Sequence, residues 1–123
     1  MGALSIPRYE TKIVAMNSGA TTFEEFEHET DKNYDRVTGV AIYYPKTNNT
    51  PIEVNIGLSD QGGIIQDRAS IKDYLADYSV PHQLRYKPVN VPAKGNKIRI
   101  TAEPIVALSA DLFLHVVFRL ERD

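Results

Sequence analysis

The chain contains no cysteine and no tryptophan, and only two methionines. Lacking cysteine, it can form no disulfide, thiolate nucleophile or cysteine-based zinc site. No apolar run approaches the roughly 18 residues of a membrane span. Met1-Gly2-Ala3-Leu4-Ser5-Ile6-Pro7 lacks the basic start and long apolar stretch of a signal peptide. Ile6 stands where a myristoylation motif needs Ser or Thr. The expectation is a protein made in a cytoplasm and not exported by a signal of its own. Charge of one sign is also missing: 14 Lys plus Arg face 16 Asp plus Glu, a net of −2. No basic stripe of the kind nucleic acid requires is present, since Lys94, Lys97 and Arg99 are spread out.

What is present is alternation. Ile52, Val54, Ile56 and Leu58 alternate with Glu53, Asn55, Gly57 and Ser59, the period-two pattern of a half-buried strand. Lys97 to Glu103 alternates likewise. From Leu112 to Glu121, one face holds Leu112, Leu114, Val116, Phe118 and Leu120. The other runs Phe113, His115, Val117, Arg119 and Glu121, apolar first and charged last. This predicts a central strand that starts deep and ends at the rim. Val37 to Tyr44 is β-branched and aromatic and closes at Pro45. Tyr9 to Ala15 and Thr21 to Glu29 read as further strands. Arg85 to Val91 is extended, and Pro88 and Pro92 confine it to a sheet edge.

Turn residues separate these runs at Asn17-Ser18-Gly19, 46–51, Asp60-Gln61-Gly62-Gly63 and Lys94-Gly95-Asn96. Gly and Asn there suit the positive φ of tight hairpins. The 123 residues fit one domain, 9–123, behind an N-terminal arm, 1–8. Such a domain should bury about two thirds of its unfolded surface. The predicted fold is all-β: an antiparallel, jelly-roll-like sandwich of about seven or eight strands. One segment departs from it. Ile71, Tyr74, Leu75 and Tyr78 have helical spacing, with Ser70 able to cap and Pro81 to stop. It predicts a short helix or an irregular crossover near 70–78.

Candidate chemistry is thin. Glu25, Glu27, Glu29 and Asp31 would share one strand face and offer oxygen ligands to calcium. A flat strand spaces them about 7 Å apart, so a solvated face that discourages edge pairing is the better reading. His28, His82 and His115 are too far apart in sequence for a zinc motif. Nothing local supports a Ser-His-Asp constellation, and His115 on an apolar strand face reads as a buried or interfacial histidine. Gly62-Gly63 is followed by Ile64-Ile65, not by the Lys-Ser/Thr of a phosphate-binding loop. Asn48-Asn49-Thr50 matches a glycosylation sequon, which matters only in a secreted eukaryotic protein. No catalytic, metal or cofactor residue is assigned.

Seven tyrosines remain. Tyrosine offers large contact area with a polar tip, which suits interfaces. Tyr43 and Tyr44 must point to opposite faces of a strand. Tyr74, Tyr78 and Tyr86 cluster around Pro81 and Pro88 in sequence. With Leu4, Ile6, Tyr9 and Tyr44, these three form the predicted partner interface. Tyr44 or the later group could instead stack on a sugar.

About 85 residues resemble small β-sandwich structural proteins of bacteriophage virions, namely capsid-associated, head-fibre and minor coat components. The resemblance lies in the order of pieces. Arg36-Val37-Thr38-Gly39-Val40-Ala41-Ile42 opens it, followed by the Ile52–Leu58 strand and the Gly62-Gly63 turn. The Tyr74–Tyr86 crossover comes next, then Val89 to Asn96 and the strand Phe113 to Leu120. It implies a sandwich or jelly roll, many copies and contacts to other coat subunits, hence a non-enzymatic protein located in the virion. The alternatives are a carbohydrate- or other ligand-binding module, and an enzyme using His28 or His82 with nearby carboxylates.

Overall fold

A computed structural model describes residues 6–43, 54–71, 74, 81, 85–108 and 111–123. Among them eight strands run in chain order. They are β1 (Arg8–Met16), β2 (Glu24–Glu29), β3 (Arg36–Tyr43), β4 (Val54–Asp60), β5 (Gly63–Ser70), β6 (Lys87–Pro92), β7 (Lys97–Pro104) and β8 (Leu112–Glu121). Two four-stranded sheets result, ordered β1-β8-β3-β6 and β2-β7-β4-β5. Every ladder is antiparallel. The pairs β1–β8, β2–β7, β3–β6 and β4–β5 nest one inside the next, the jelly-roll-like wiring expected.

Alternation builds the core. Leu112, Leu114, Val116, Phe118 and Leu120 all turn inward and are buried. Val14, Met16, Val37 and Ile42 join them from the same sheet, and Ile56, Leu58, Ile98 and Ile100 from the opposing one. At about 1.5–3 kcal/mol per buried side chain, the inner row of β8 alone is worth about 8–15 kcal/mol before entropy. Exposed ion pairs contribute about 0–1 kcal/mol each, so apolar packing between the layers, not surface charge, holds the fold.

Three expectations change. First, Ser70, the expected cap, is the last residue of β5, paired with Asn55. Ile71 and Tyr74 close a single turn, Tyr74 N–H donating to the Ile71 carbonyl at 2.9 Å, and both side chains are buried. One turn satisfies their i, i+3 spacing; 72–73 and 75–78, on which the choice between a short helix and an irregular crossover rests, lie outside the described residues. Second, β4–β5 is the one ladder here that joins consecutive strands. The turns at Asn17-Ser18-Gly19 and Lys94-Gly95-Asn96 cross between sheets instead. Lys94 and Gly95 both take positive φ, 54° and 77°, at that corner. Third, β5 is a strand that the sequence pattern did not announce. Its Ile64 is 74% exposed, and two register shifts against β4 break the alternation.

Candidate interaction surface

Each sheet has two edges, and each edge is guarded. On β1, Glu10 and Lys12 occupy inward positions, and inward charge blunts an edge. Glu10 Oε1 meets His28 Nε2 at 3.0 Å, and the His28 ring stacks on Phe118 at 5.2 Å. His28 is therefore tied between the sheets. On β2, Glu25, Glu27 and Glu29 point outward. They stand opposite Thr101, Arg99 and Lys97 of β7, so the acidic row is a solvated face balanced by bases. On β6, Pro88 and Pro92 withhold donors. On β5, register shifts interrupt the ladder. Among the described residues no three His, Asp or Glu side chains come together as a metal site.

Faces are left, and the two outer faces differ. On the β1-β8-β3-β6 sheet, alternation turns Tyr9, Thr11, Ile13 and Ala15 outward from β1. They pair with Arg119, Val117, His115 and Phe113 of β8. From β3, Ala41 and Tyr43 stand opposite Val117 and His115, but Ala41 is fully buried and Tyr43 half-buried, so the open surface is that of β1 and β8. Ile13 is 55% exposed, Phe113 52% and Tyr9 40%. The result is an aromatic and aliphatic surface with almost no charge. From strand spacings of about 4.8 Å and rises of about 3.3 Å, two strands nine residues long present about 300 Å². That is at the low end for the largest apolar patch on a typical monomer, and well under half of one side of a standard interface.

One end of this face is roofed. Tyr86 lies over Gly39, where an added Cβ would sit 2.8 Å from the Tyr86 Cβ. Arg119 runs beneath the same ring, its guanidinium 5.4 Å from the centroid. Arg119 Nε donates to Thr38 Oγ1 at 3.0 Å and Nη2 to the Thr38 carbonyl at 3.2 Å. Tyr9 meets the Tyr86 ring at 5.5 Å. Burial, reinforced by hydrogen bonding with Tyr43, pushes the Tyr86 hydroxyl pKa upward. The roof reverses the expected depth of β8: Phe113 at its start is open, while Arg119 near its end is half-buried.

Of the seven expected interface residues, Ile6 (80% exposed) and Tyr9 lie on the surface. Tyr74 and Tyr86 do not: they are 1% and 7% exposed, because one plugs the core and the other forms the roof. Leu4, Tyr44 and Tyr78 lie outside the described residues, as does His82. His115 is exposed, not buried. Ile13, Phe113 and Val117 were missed as contact candidates. Their signal was the apolar start of the second face of β8, which the sequence reading placed in the interior.

No family model matches the sequence, and no curated protein matches it. Solved structures do. All of this chain aligns with 89% of a chain in the cyanophage Pam1 capsid asymmetric unit, at a TM-score of 0.56 and 17% identity. The two share a fold. A second alignment pairs 94% of this chain with 13% of dimeric latent PorU from Porphyromonas gingivalis. At 13% identity and a TM-score of 0.44 it carries no argument. No helix among the described residues is long and apolar enough to cross a membrane.

Proposed function

We propose that this chain is a non-enzymatic structural component of a virion, a capsid-associated protein that works by contact with other coat subunits. The observation that carries the reading is the uncharged aromatic outer face of the β1-β8-β3-β6 sheet, open at Ile13 and Phe113. The end-to-end likeness of fold to a chain of a phage capsid unit supports it. Guarded edges direct association to a face, and the charged outer face of the other sheet leaves this one. At about 300 Å² a single contact is weak against the ~800 Å² per partner of stable complexes. Such a contact suits a shell, where many copies act together. Fibre attachment is a finer version of the same role. Tyr74 and Tyr86 are buried and offer no platform for sugar, while Tyr44 and Tyr78 lie outside the described residues.

The test is mass spectrometry of purified particles, combined with reconstitution of particles with wild-type protein and with Phe113→Glu. The protein is expected in the particles, and the variant is expected to fold yet be retained poorly. Absence of the protein from particles would overturn the reading.

A further inference from the structure

The four sheet edges are guarded by different means, and one guard can be undone. β2 and β6 are short, and β6 carries Pro88 and Pro92. β5 is broken by register shifts. β1 has none of these defences. Its nine residues, Arg8 to Met16, pair with β8 in one uninterrupted register. β1 ends its sheet, so alternate N–H and C=O groups along it face away from β8. Among the described residues no backbone group of another element bonds to that edge. A regular row of free backbone groups recruits another strand. What opposes this on β1 is the inward charge of Glu10 and Lys12.

These two charges are opposite in sign and unequally satisfied. Glu10 accepts from Arg8 Nε at 2.9 Å and stands 3.0 Å from His28 Nε2, while Arg8 also reaches Asp31 at 3.4 Å. Lys12 is half-buried and makes no hydrogen bond or ion pair with any described residue. Charges so placed exclude most pairings and allow one. Let β1 meet a second β1, antiparallel about a two-fold axis. An axis at Glu10 sets Glu10 against Glu10 and Arg8 against Lys12. An axis at Lys12 sets Lys12 against Lys12. An axis at Tyr9 overlaps only Arg8 to Glu10, and one at Ile13 sets Glu10 against Met16 and Lys12 against Val14. An axis between residues would turn the inward row outward. An axis at Thr11 places Glu10 opposite Lys12 in both symmetric pairs, Tyr9 opposite Ile13 in both, and Thr11 opposite Thr11. Opposite-charge, aromatic–β-branched and Thr–Thr pairs are the cross-strand contacts that stabilise a sheet.

We infer that β1 joins two copies of this chain in a two-fold dimer, its strands paired antiparallel about Thr11 and held in register by Glu10 of each copy against Lys12 of the other. The same patch serves both copies, as a closed two-fold contact requires. The two β1-β8-β3-β6 sheets become one continuous sheet. Tyr9 of one copy lies beside Ile13 of the other, and the apolar outer face grows to about 600 Å². That approaches the ~800 Å² per partner of a standard interface. The dimer stands whether or not the chain belongs to a virion. Strand pairing alone buries less than about 1,200 Å², which places it among weak, reversible contacts.

The experiment is sedimentation velocity of the whole chain from about 10 µM to about 1 mM protein, the range in which so small an interface assembles. A monomer–dimer equilibrium is expected. Lys12→Glu opposes two carboxylates in both symmetric pairs and should weaken the dimer about tenfold or more. Mixing Lys12→Glu with Glu10→Lys restores opposite pairs, so the mixture should dimerise although neither variant does so alone. Should Glu10→Lys misfold through loss of its contacts with Arg8 and His28, cysteine crosslinking gives the register instead, because the chain has no cysteine of its own. Thr11→Cys should crosslink to itself, and Ile13→Cys should crosslink to Tyr9→Cys but not to itself. Phe113→Glu lies off the edge and should leave the dimer intact. A monomer at every concentration, an undiminished dimer in Lys12→Glu, no crosslink through Thr11→Cys, or a dimer lost in Phe113→Glu would each overturn the inference.

Discussion

The two sheets present the same chemistry to each other and opposite chemistry to the outside. Inward, both are rows of Val, Ile and Leu. Outward, one shows Tyr9, Ile13 and Phe113 with little charge, and the other shows Glu25, Glu27 and Glu29 against Arg99 and Lys97. Folding requires only the inner faces to be apolar. An outer face is free to be polar, so an apolar one points to a demand other than folding. Both sheets also place a glycine on a central strand beneath a long side chain. Gly39 lies under Tyr86 and Gly57 under Arg68. The difference between the roofs is the sharpest physical contrast between the faces.

That contrast yields the largest expected effect. Alanine at position 39 would put a Cβ 2.8 Å from the Tyr86 Cβ and 3.1 Å from Arg119 Nη2. Neither yields easily, because Tyr86 is buried and Arg119 is held by Thr38. Overpacking of this kind costs about 1–3 kcal/mol. Alanine at position 57 would meet Arg68 Cγ at 3.0 Å, part of a flexible chain at the surface. There the strain is offset by about 0.4–1 kcal/mol from a less mobile unfolded chain. Denaturant melts of Gly39→Ala and Gly57→Ala should therefore differ clearly, the first losing stability and the second staying near wild type. Equal losses would break the contrast.

A second pair of variants asks which face makes contacts. Phe113→Glu with Ile13→Glu should alter monomer stability by no more than about 0.5 kcal/mol, since both side chains are more than half exposed. Association with coat subunits should fall by about tenfold or more, the cost of burying an unpaired carboxylate in an apolar contact being well above 1.4 kcal/mol. Glu27→Ala on the other face should leave association unchanged. Sedimentation or light scattering with purified particles reads both. The reverse result would move the contact to the charged face.

Much of this was legible in the sequence, and what was not has a physical reason. Strict alternation, as in Leu112 to Glu121, specifies a strand and its inner row, and the structure follows it residue by residue. Pro88 and Pro92 specified an edge, because a residue without an N–H cannot sit inside a ladder. Alternation does not say what lies over the outer row. The second face of β8 was read as deep at Phe113 and shallow at Arg119. The opposite depth arises because Tyr86, more than thirty residues earlier, folds across the far end. β5 escaped notice because its bulges destroy the period by which a strand is recognised.

The roof should also carry an alkaline signature. Burial first, and then hydrogen bonding with Tyr43, hold the Tyr86 hydroxyl in its neutral form. Its folded pKa lies above the unfolded value of about 10. The stability it contributes is fully present below that value and is lost as pH rises above it toward the folded pKa. Thermal midpoints should fall above about pH 10. Tyr86→Phe should flatten the fall at a cost near neutrality of about 1 kcal/mol for the lost hydrogen bond. An unchanged alkaline decline in that variant would assign it to other tyrosines.

The smallest effect separates the faces by salt. Arg68 on the charged face pairs with Glu103, both side chains being more than a third exposed, and rests over the exposed Phe23 ring. Such contacts are worth about 0.5–1 kcal/mol and are screened. Arg119 on the apolar face is instead enclosed between Thr38 and Tyr86, bonded to neutral oxygens. Screening acts on exposed charge pairs far more than on enclosed hydrogen bonds, and at 1 M salt the Debye length shrinks to about 3 Å. The loss caused by Arg68→Ala should therefore shrink as salt is raised, while the loss caused by Arg119→Ala should stay constant. Denaturant midpoints for both variants at low and high salt decide it. Parallel salt responses would mean that the two guanidiniums sit in the same electrostatic environment, and the division between a charged face and an apolar one would lose its basis.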